Sequence, residues 1–427
     1  MSEWKNISAP PVDLTLGDHD VKQKTSALKG RKIALLSTGS IASFTIPSLS
    51  RELRKYGASV QIFVTPDALK CGASITALEW GSWPNKVITE ITSASEHLSL
   101  DKPFDLYLVA PATANTICKT ASGISDTVVT GALASAFGRK IPIMMVPAMH
   151  GSLHNDFLQE AVLKLQSKGV FFVAPFDAFG KHNMPDKEDI VMDVCRLLSN
   201  SRLKNKKIMV TSGPTPVKID SVRLITNRFS GKLGILLAEE LYRRGADVML
   251  YQSYYGMRPP RYLPHKIFEG FDEYADIVLK ESNQYEIGVF SAAVADYRPI
   301  TVLKGKTPSK GALKNIELTE TFKVIDRVIE SNKSMKIVSF KYEEGCGYYG
   351  LQKIAKERIE KRGHKIIVAT DGEMTENGEQ VAFIFRDYLG KFMDFEVNKL
   401  FRGIISKKNI SIAVADAIDA SIKSGDM

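Results

Sequence analysis

Cysteine is scarce in this chain of 427 residues, and long apolar runs are missing. The few cysteines form no C-x-x-C pair, which argues against a zinc site or a disulfide framework and fits reduced thiols in a cytoplasm; they are Cys71, Cys118, Cys195 and Cys346. No apolar stretch reaches the length that spans a bilayer, and the N-terminus lacks the charged-then-apolar order of a signal peptide. We therefore expect a cytoplasmic protein with no membrane segment and no metal site built by its own side chains.

A basic tract interleaved with aromatic residues is also missing, although the formal net charge is +9. Because the lysines and arginines are spread along the chain, nucleic acid is not an expected partner. A surplus of positive charge attracts small anions. The composition therefore favours phosphorylated small molecules and nucleotides as ligands.

Short apolar runs alternate with helix-like stretches in two successive series. The first series predicts strands at 31–37, 59–64, 105–110, 141–146 and 170–174. The second predicts strands at 207–212, 247–251, 286–291, 336–340 and 365–369, with a helix at 232–244. Such alternation predicts α/β domains, each with a parallel sheet that has helices on both faces.

A polar, basic stretch at 196–206 separates the two series and is interpreted as a linker. Residues 1–29 are polar and contain proline, so we expect a loosely ordered extension there. These boundaries leave a first domain at 30–195 and a second at 207–427. In both domains the distinctive loops directly follow strands, at the edge where open α/β sheets bind ligands.

The first strand ends in S-T-G-S-I-A-S-F, residues 37–44. A strand, a turn of small residues and a helix N-terminus form a phosphate cradle, because unpaired backbone N–H groups point at the anion. Gly39 permits close approach of the backbone, and Thr38 and Ser40 add hydroxyl donors. The string is not G-x-G-x-x-G, so it does not indicate a dinucleotide site.

Five strings in the first half occur in a characteristic order: T-G-S-I-A-S-F, V-T-P (64–66), A-P-A-T-A-N-T (110–116), G-I-S-D (123–126) and P-A-M (147–149). In this order they resemble the flavin-containing cysteine decarboxylases over about residues 31–190. The resemblance implies an FMN site, in which the flavin oxidises the thiol of a peptidyl cysteine before CO2 leaves. The residues implied to hold FMN are Gly39, Ser40, Ile41, Thr65, Ala110, Thr113, Asn115, Thr116 and Met149.

His97 stands where this family has its catalytic histidine, and its imidazole suits proton transfer near neutral pH. Two departures from the family pattern concern the substrate. The family commonly has P-A-M-N, whereas this chain has His150 in place of the asparagine, and we expect His150 to bind the substrate carboxylate. Many members also carry a cysteine in a flap, where this chain has F-D-A-F-G-K-H-N-M-P (176–185). Lys181 or His182 is a candidate for the proton donor of the last step.

The second half contains S-G-P-T-P-V-K-I-D-S-V-R-L-I-T-N-R-F-S-G-K-L-G, residues 212–234. This string resembles the signature of the phosphopantothenate–cysteine ligases, with Phe229 in place of a small residue. S-A-A-V-A-D-Y (291–297), K-G-K-T-P-S-K (304–310) and the strands that close the domain extend the resemblance over about 204–425. It is not a P-loop, because G-x-x-x-x-G-K-[ST] is absent.

This second resemblance implies that CTP activates a carboxylate as an acyl-cytidylate, from which the amine of cysteine displaces CMP. The cations for the phosphates would be Lys306, Arg358, Arg362 and Mg2+. Asn227 would donate to the acyl carbonyl, and Lys306 and Asn227 are the implied catalytic residues of this half. The implied nucleotide contacts are Ser291, Ala292, Ala293, Asp296 and Phe340.

Together the resemblances imply a flavodoxin-like, three-layer flavin domain fused to a Rossmann-like ligase domain, for two consecutive steps of coenzyme A synthesis. The substrates would be 4′-phosphopantothenate, cysteine and CTP. A homo-oligomer with trimeric flavin domains and dimeric ligase domains is expected from the resemblance alone. Two alternatives stay open at this point: a flavin domain that serves as a regulatory binding subunit, and a ligase whose inactive flavin domain serves oligomerisation.

Overall fold

The computed structural model describes residues 17–92, 103–308, 315–374, 380–388, 390–394 and 404–425. Its contacts divide the chain into two compact units, and the boundary along the sequence lies between Leu198 and Ser199. Within the described residues, no helix is both long and apolar enough to cross a membrane. Each unit is described by itself below.

The strands of the first unit are β1 (Lys32–Ser37), β2 (Ser59–Val64), β3 (Leu106–Ala112), β4 (Ile143–Pro147), β5 (Met149–His150), β6 (Phe171–Phe172), β7 (Phe176–Ala178) and β8 (Lys181–Asn183). Its helices are α1 (Ile46–Lys55), α2 (Pro66–Lys70), α3 (Ile75–Ser82), α4 (Ala114–Ala121), α5 (Val128–Gly138), α6 (Asp156–Ser167) and α7 (Lys187–Leu198). A five-stranded parallel sheet has the order β2-β1-β3-β4-β6, and β5, β8 and β7 form a small antiparallel sheet.

Strand β1 shows why the first unit has three layers. Ile33 and Leu35 pack into one buried cluster with α1 and α7, whereas Ala34 and Leu36 pack into another with α5 and α6. Successive residues of a strand point to opposite faces, so an unbroken apolar run buries both faces. The predicted α/β fold with helices on both faces is confirmed.

The segments predicted as an extension and as a linker are both packed. Leu28 is fully buried, and the Lys24 backbone N–H donates to the carbonyl of Lys55 at 2.8 Å. The described part of the expected extension, residues 17–29, is thus held on the first unit, which differs from the loose order expected there; residues 1–16 lie outside the described residues. At the other end, α7 runs to Leu198 and Leu203 is buried in the core of the second unit. Parts of the stretch interpreted as a linker are therefore packed, and a single buried leucine in a polar stretch gives no pattern that predicts this.

The strands of the second unit are β9 (Lys207–Ser212), β10 (Val217–Lys218), β11 (Leu224–Ile225), β12 (Asp247–Ser253), β13 (His265–Phe268), β14 (Ile287–Phe290), β15 (Tyr297–Pro299), β16 (Leu318–Glu320), β17 (Lys336–Glu343), β18 (Ile366–Met374), β19 (Gln380–Tyr388), β20 (Lys391–Asp394) and β21 (Ile404–Ile405). Its helices are α8 (Lys232–Arg243), α9 (Phe271–Glu281), α10 (Val324–Ser331), α11 (Gly347–Arg362) and α12 (Lys407–Ser424).

The main sheet of the second unit has the order β13-β12-β9-β14-β17-β18-β19-β20, and β21 pairs with β19. From β13 to β18 the strands are parallel, and β19, β20 and β21 add antiparallel pairs. Ile208 and Val210 of β9 face one buried cluster, and Met209 faces the other. This unit too has a sheet between two helical layers.

Candidate active sites

The first sheet reverses its strand order between β1 and β3, and a crevice opens outside the carboxyl ends of strands at such a switch point. A cavity of about 700 Å³ lies there, which is within the usual range for cofactor pockets. The residues that line it are Thr38, Gly39, Ser40, Thr65, Pro66, Asp67, Lys70, Cys71, Thr113, Ala114, Asn115, Thr116, Lys119, Thr127, Thr130, Ala148, Met149, His150 and Leu153.

Four residues of the cavity wall cap the beginnings of helical segments. Thr65, Thr113 and Thr127 accept from backbone N–H groups of α2, α4 and α5 at 3.2, 3.4 and 3.1 Å, and Ser40 accepts from a short 3₁₀ turn at 3.3 Å. Helix N-termini carry partial positive charge. Their convergence on one cavity favours an anion, as a flavin phosphate requires.

Two lysines line the same wall, and each lies next to a carboxylate. Lys70 lies 3.5 Å from Asp67, and Lys119 forms an ion pair with Asp126. The hydrogen bond from Lys119 is the largest of the effects that hold the pKa of Asp126 below its usual value. Neither lysine was predicted from the sequence. Lys70 lies five residues after the cap Thr65, and Lys119 lies six after the cap Thr113. These spacings indicate a binding role only once the caps are known to face one cavity.

The structure brings together most of the residues expected to hold FMN. Gly39, Ser40, Thr65, Thr113, Asn115, Thr116 and Met149 all line the cavity, as does His150. Ile41 and Ala110 are not part of the lining. The side chain of Ile41 is 71% exposed, and Ala110 is fully buried in β3. His97, the expected catalytic residue, lies outside the described residues.

Glycine is required at position 39 because there is no room for a side chain, and not because of its backbone conformation. A Cβ atom at this position would stand 2.9 Å from Cβ of Asp67. Such a contact is shorter than atoms in proteins tolerate, so the turn after β1 passes close to α2 only without a side chain.

His150 stands at the rim of the cavity with one ring nitrogen engaged. Its Nδ1 lies 2.8 Å from Oγ of Ser152 and accepts the backbone N–H of Ser152 at 3.2 Å. A nitrogen that accepts carries no proton, so the proton of the neutral ring is on Nε2. That arrangement presents an N–H donor, as binding a carboxylate requires.

The flap residues Lys181 and His182 differ in their surroundings. Lys181 pairs with His150 across β5 and β8, so the two side chains project from the same face. His182 has both ring nitrogens engaged, with Asp177 at 2.6 Å from Nδ1 and His154 at 2.7 Å from Nε2. Of the two expected proton donors, Lys181 is therefore the one not tied into a histidine–carboxylate chain.

The second sheet reverses its order between β9 and β14, and the loops that follow these strands are joined by hydrogen bonds. The Ala293 N–H donates to Gly213 at 2.9 Å, and the Thr215 N–H donates to Ala293 at 3.3 Å. Oγ1 of Thr215 accepts the Ala295 N–H at 2.8 Å. The G-P-T and S-A-A-V-A strings, some 80 residues apart, thus form one rigid rim.

Asn227 is fixed on this rim. Its amide nitrogen donates to the carbonyls of Ala293 and Val294 at 3.0 and 3.3 Å. Ser291 donates its hydroxyl to Thr211 at 2.6 Å, and the side chain of Asp296 forms an ion pair with Lys323. Asn227, Ser291, Ala292 and Ala293 therefore come together as expected, although the Asn227 amide is engaged with the protein itself.

A buried carboxylate that the sequence analysis did not select positions the Lys306 loop. The side chain of Asp220 is fully buried and accepts backbone N–H groups of Val222, Arg223 and Thr307 at 2.8, 2.8 and 3.2 Å, besides an ion pair with Arg223. The Val222 N–H is the largest of these causes, which together lower the pKa of Asp220. Thr307 follows Lys306 directly, so Asp220 fixes the backbone next to that lysine.

The remaining predicted nucleotide contacts lie on β17 and α11. Burial and the neighbouring Arg362 lower the pKa of Arg358, and Arg362 lies 3.5 Å from Asp326. Phe340 is half-buried against the core of the unit. His364, which follows α11, is buried with Nδ1 2.7 Å from Oγ of Ser339, and burial with the two arginines lowers its pKa to about 4.

Comparison with known proteins assigns both units. The family profile described as Flavoprotein matches residues 21–199, and that described as DNA/pantothenate metabolism flavoprotein C-terminal domain matches 203–415. The coenzyme A biosynthesis bifunctional protein CoaBC of Thermococcus kodakarensis is 37% identical over 86% of this chain and 92% of its own.

This chain belongs to the family of bifunctional coenzyme A biosynthesis proteins. The CoaBC protein of Methanocaldococcus jannaschii is also similar, with 32% identity over 94% of this chain and 96% of that one. Among solved structures, the DNA/pantothenate metabolism flavoprotein of Streptococcus pneumoniae is 23% identical, covers 50% of this chain and 99% of its own, and has a TM-score of 0.43.

Membership of the CoaBC family confirms the predicted role in coenzyme A synthesis, by an enzyme with a flavin-containing decarboxylase half and a ligase half. The Flavoprotein profile matches the first half of the chain and the C-terminal-domain profile the second. The roles of individual residues, the nucleotide and the assembly stay predictions and are taken up below.

Proposed function

We propose that the ligase half of this CoaBC-family chain joins 4′-phosphopantothenate to cysteine at the expense of CTP, and that the flavin half decarboxylates the product to 4′-phosphopantetheine. The observation that carries the proposal is the cavity at the first switch point, where four N-caps and two lysines face one space. The second half makes what the first consumes, which gives the fusion a chemical logic.

The residues of the first cavity fit FMN. The capped helix ends and Lys119 suit its phosphate, and a cavity of about 700 Å³ has room for its rings. When bound, the flavin supplies hydride uptake and return, which activates the carboxyl group for loss of CO2. The chain itself binds the substrate carboxylate through Nε2 of His150, moves protons through His97, and supplies the last proton from Lys181.

In the ligase half the carboxylate attacks the α-phosphorus of CTP, and pyrophosphate leaves. The amine of cysteine then attacks the acyl carbon, and CMP and a proton leave. Lys306, Arg358, Arg362 and Mg2+ would balance the charge of the phosphates. On binding, Asn227 would turn its amide from the loop carbonyls to the acyl carbonyl.

The proposal includes a cytoplasmic homo-oligomer, with trimeric flavin domains and dimeric ligase domains. Its support is the family resemblance of the two halves. Sedimentation of the purified chain measures the assembly directly.

The central experiment incubates the chain with phosphopantothenate, cysteine, Mg2+ and CTP, with ATP in a parallel reaction, and follows the products by mass. We expect phosphopantetheine in the wild type and accumulation of the peptide in His97→Asn. Asn227→Asp should form no amide, yet decarboxylate added phosphopantothenoylcysteine at the wild-type rate. Amide formation without CO2 release by the wild type would contradict the role of the flavin half.

A further inference from the structure

An acyl-nucleotide is a mixed anhydride, so water competes with the amine for its acyl carbon. If water attacks, the carboxylate and CMP form and the nucleotide is spent without an amide. An enzyme that makes such an intermediate suppresses this side reaction by excluding water from the site. The inference below rests on the proposed ligase function and concerns how this chain achieves that exclusion.

Two aromatic rings from segments next to the predicted ligase site contact each other. The centroids of Phe229 and Tyr342 lie 5.9 Å apart at an interplanar angle of 69°, an edge-to-face contact. Phe229 belongs to the loop that follows β9 and β11, and Tyr342 lies near the carboxyl end of β17. The contact therefore connects two segments that are 113 residues apart in sequence, by the numbering of the chain.

The order of the strands places this contact across the crevice. Strand β14 lies between β9 and β17, and strands are spaced at about 4.8 Å, so β9 and β17 are roughly 10 Å apart. In the parallel pair, Phe290 at the end of β14 stands opposite Ser339, and β17 continues to Glu343. Tyr342 thus projects beyond the end of β14, alongside the 291–295 loop that carries the predicted nucleotide contacts.

Both rings are held in place by neighbours. Oη of Tyr342 donates to Glu344 at 2.8 Å. A Cβ atom on Gly372 would lie 2.7 Å from this hydroxyl oxygen, so the missing side chain leaves room for the ring. Phe229 is two residues from Asn227, whose amide is fixed on the loop of Ala293. The pair is therefore anchored on both sides of the predicted site of acyl transfer.

We propose that Phe229 and Tyr342 form an aromatic cover over the ligase site, which keeps water from the activated acyl group and leaves the amine as its acceptor. Phe229 is 37% exposed, so the residue is partly open to solvent. The cover acts on the partition between amine and water, and neither ring takes part in bond formation.

The test measures CMP released per amide formed, with CTP, phosphopantothenate, cysteine and Mg2+. In the wild type we expect close to one CMP per amide. Phe229→Ser and, independently, Tyr342→Leu should raise this ratio at least about threefold, because water reaches the intermediate. Without cysteine, the same variants should release CMP faster than the wild type.

Two variants serve as controls. Tyr342→Phe keeps the ring and removes only the hydroxyl, with its bonds to Glu344 and Arg228, so its ratio should stay at the wild-type value. Phe157→Ser removes a ring that is 79% exposed on α6 of the flavin unit, and its ratio should not change. The heat of unfolding of each variant shows that the ligase unit is folded.

The outcomes separate the inference from the proposed function. A wild type that forms no amide with CTP or ATP overturns both. If the wild type forms amide, and the folded Phe229→Ser and Tyr342→Leu variants make amide more slowly at an unchanged ratio of CMP to amide, only the cover is overturned. A raised ratio in both variants with a wild-type ratio in Tyr342→Phe supports it.

Discussion

Gly234 tests whether the glycine-rich string of the ligase half is there for packing. It lies in the first turn of α8, and a Cβ atom on it would stand 2.5 Å from Cβ of Ser212 and 2.7 Å from Oγ of Ser291. Ser212 ends β9 and Ser291 directly follows β14, so both obstacles belong to the centre of the sheet. The substitution Gly234→Ala therefore cannot be relieved by turning a flexible side chain.

Two opposing effects decide the size of the change. Alanine is favoured over glycine within a helix by about 0.8–1.0 kcal/mol. Overpacking against fixed neighbours costs about 1–3 kcal/mol, and two contacts this short place Gly234→Ala at the upper end. We expect a net loss of about 1–2 kcal/mol, which lowers the unfolding midpoint of a unit of this size by roughly 4 °C.

Calorimetry measures the unfolding midpoint of the ligase unit. Loss of flavin absorbance on heating identifies the separate unfolding transition of the first unit. Gly138, the last residue of α5, is the matched control, because nothing lies within 4 Å of a Cβ atom there. Gly138→Ala should raise the midpoint of its own unit, by up to about 1 kcal/mol of stability. If Gly234→Ala were as stable as the wild type, the close approach of α8 to the sheet would not be what requires glycine.

Three further predictions concern charged groups. Asp220→Asn should slow amide formation by on the order of tenfold to a hundredfold, because Lys306 is displaced, while flavin content is unchanged. Burial lowers the pKa of His364 from 6.5 to about 4, so between pH 6.5 and 4 the histidine is protonated in the unfolded ligase unit but not in the folded one. The free energy of unfolding should therefore fall by up to about 3 kcal/mol as the pH drops through that range, and by less in His364→Gln. Lys181→Ala should still release CO2 but stop at the decarboxylated enethiol, which is detected by mass. His182→Ala should complete the reaction, and the reverse result would contradict the assignment of Lys181 as proton donor.

The strands were largely predictable because their sequences are unbroken apolar runs. The bounds predicted for β1, β2, β9 and β12 agree with the structure to within two residues at each end. A parallel strand covered by helices on both faces must be apolar throughout, so the run itself is the signal. Where the pattern alternates or is short, as in β13 and the hairpin of β7 and β8, no strand was predicted.

The positions of the sites were predictable for a related reason. Loop strings that follow strands meet at the carboxyl edge of a parallel sheet, and the strand order then selects the crevice. Individual partners were not predictable, because they depend on the approach of distant segments. Asp220 binds the N–H of Thr307, 87 positions away, and nothing in the sequence near either residue marks the other.

The two switch points offer different groups to the anions proposed for them. At the first, Ser40, Thr65 and Thr113 cap helix ends that face the cavity, so backbone N–H groups and dipoles contribute to binding. At the second, backbone N–H groups of the loops are used in bonds between the loops, and those of Thr215 and Ala293 are examples. In the proposed ligase reaction, lysine and arginine side chains at the surface would then carry most of the interaction with the triphosphate.

Salt distinguishes these two means. Attraction between exposed charges is screened within about 8–10 Å at 0.1–0.15 M ionic strength, whereas contacts inside an enclosed cavity are screened much less. The apparent affinity for CTP, followed by initial rates of CMP release, should therefore weaken severalfold between low and moderate salt. Flavin retention on gel filtration, measured on the same samples, should change little. Equal sensitivity of both would show that the backbone of the first cavity does not carry the phosphate.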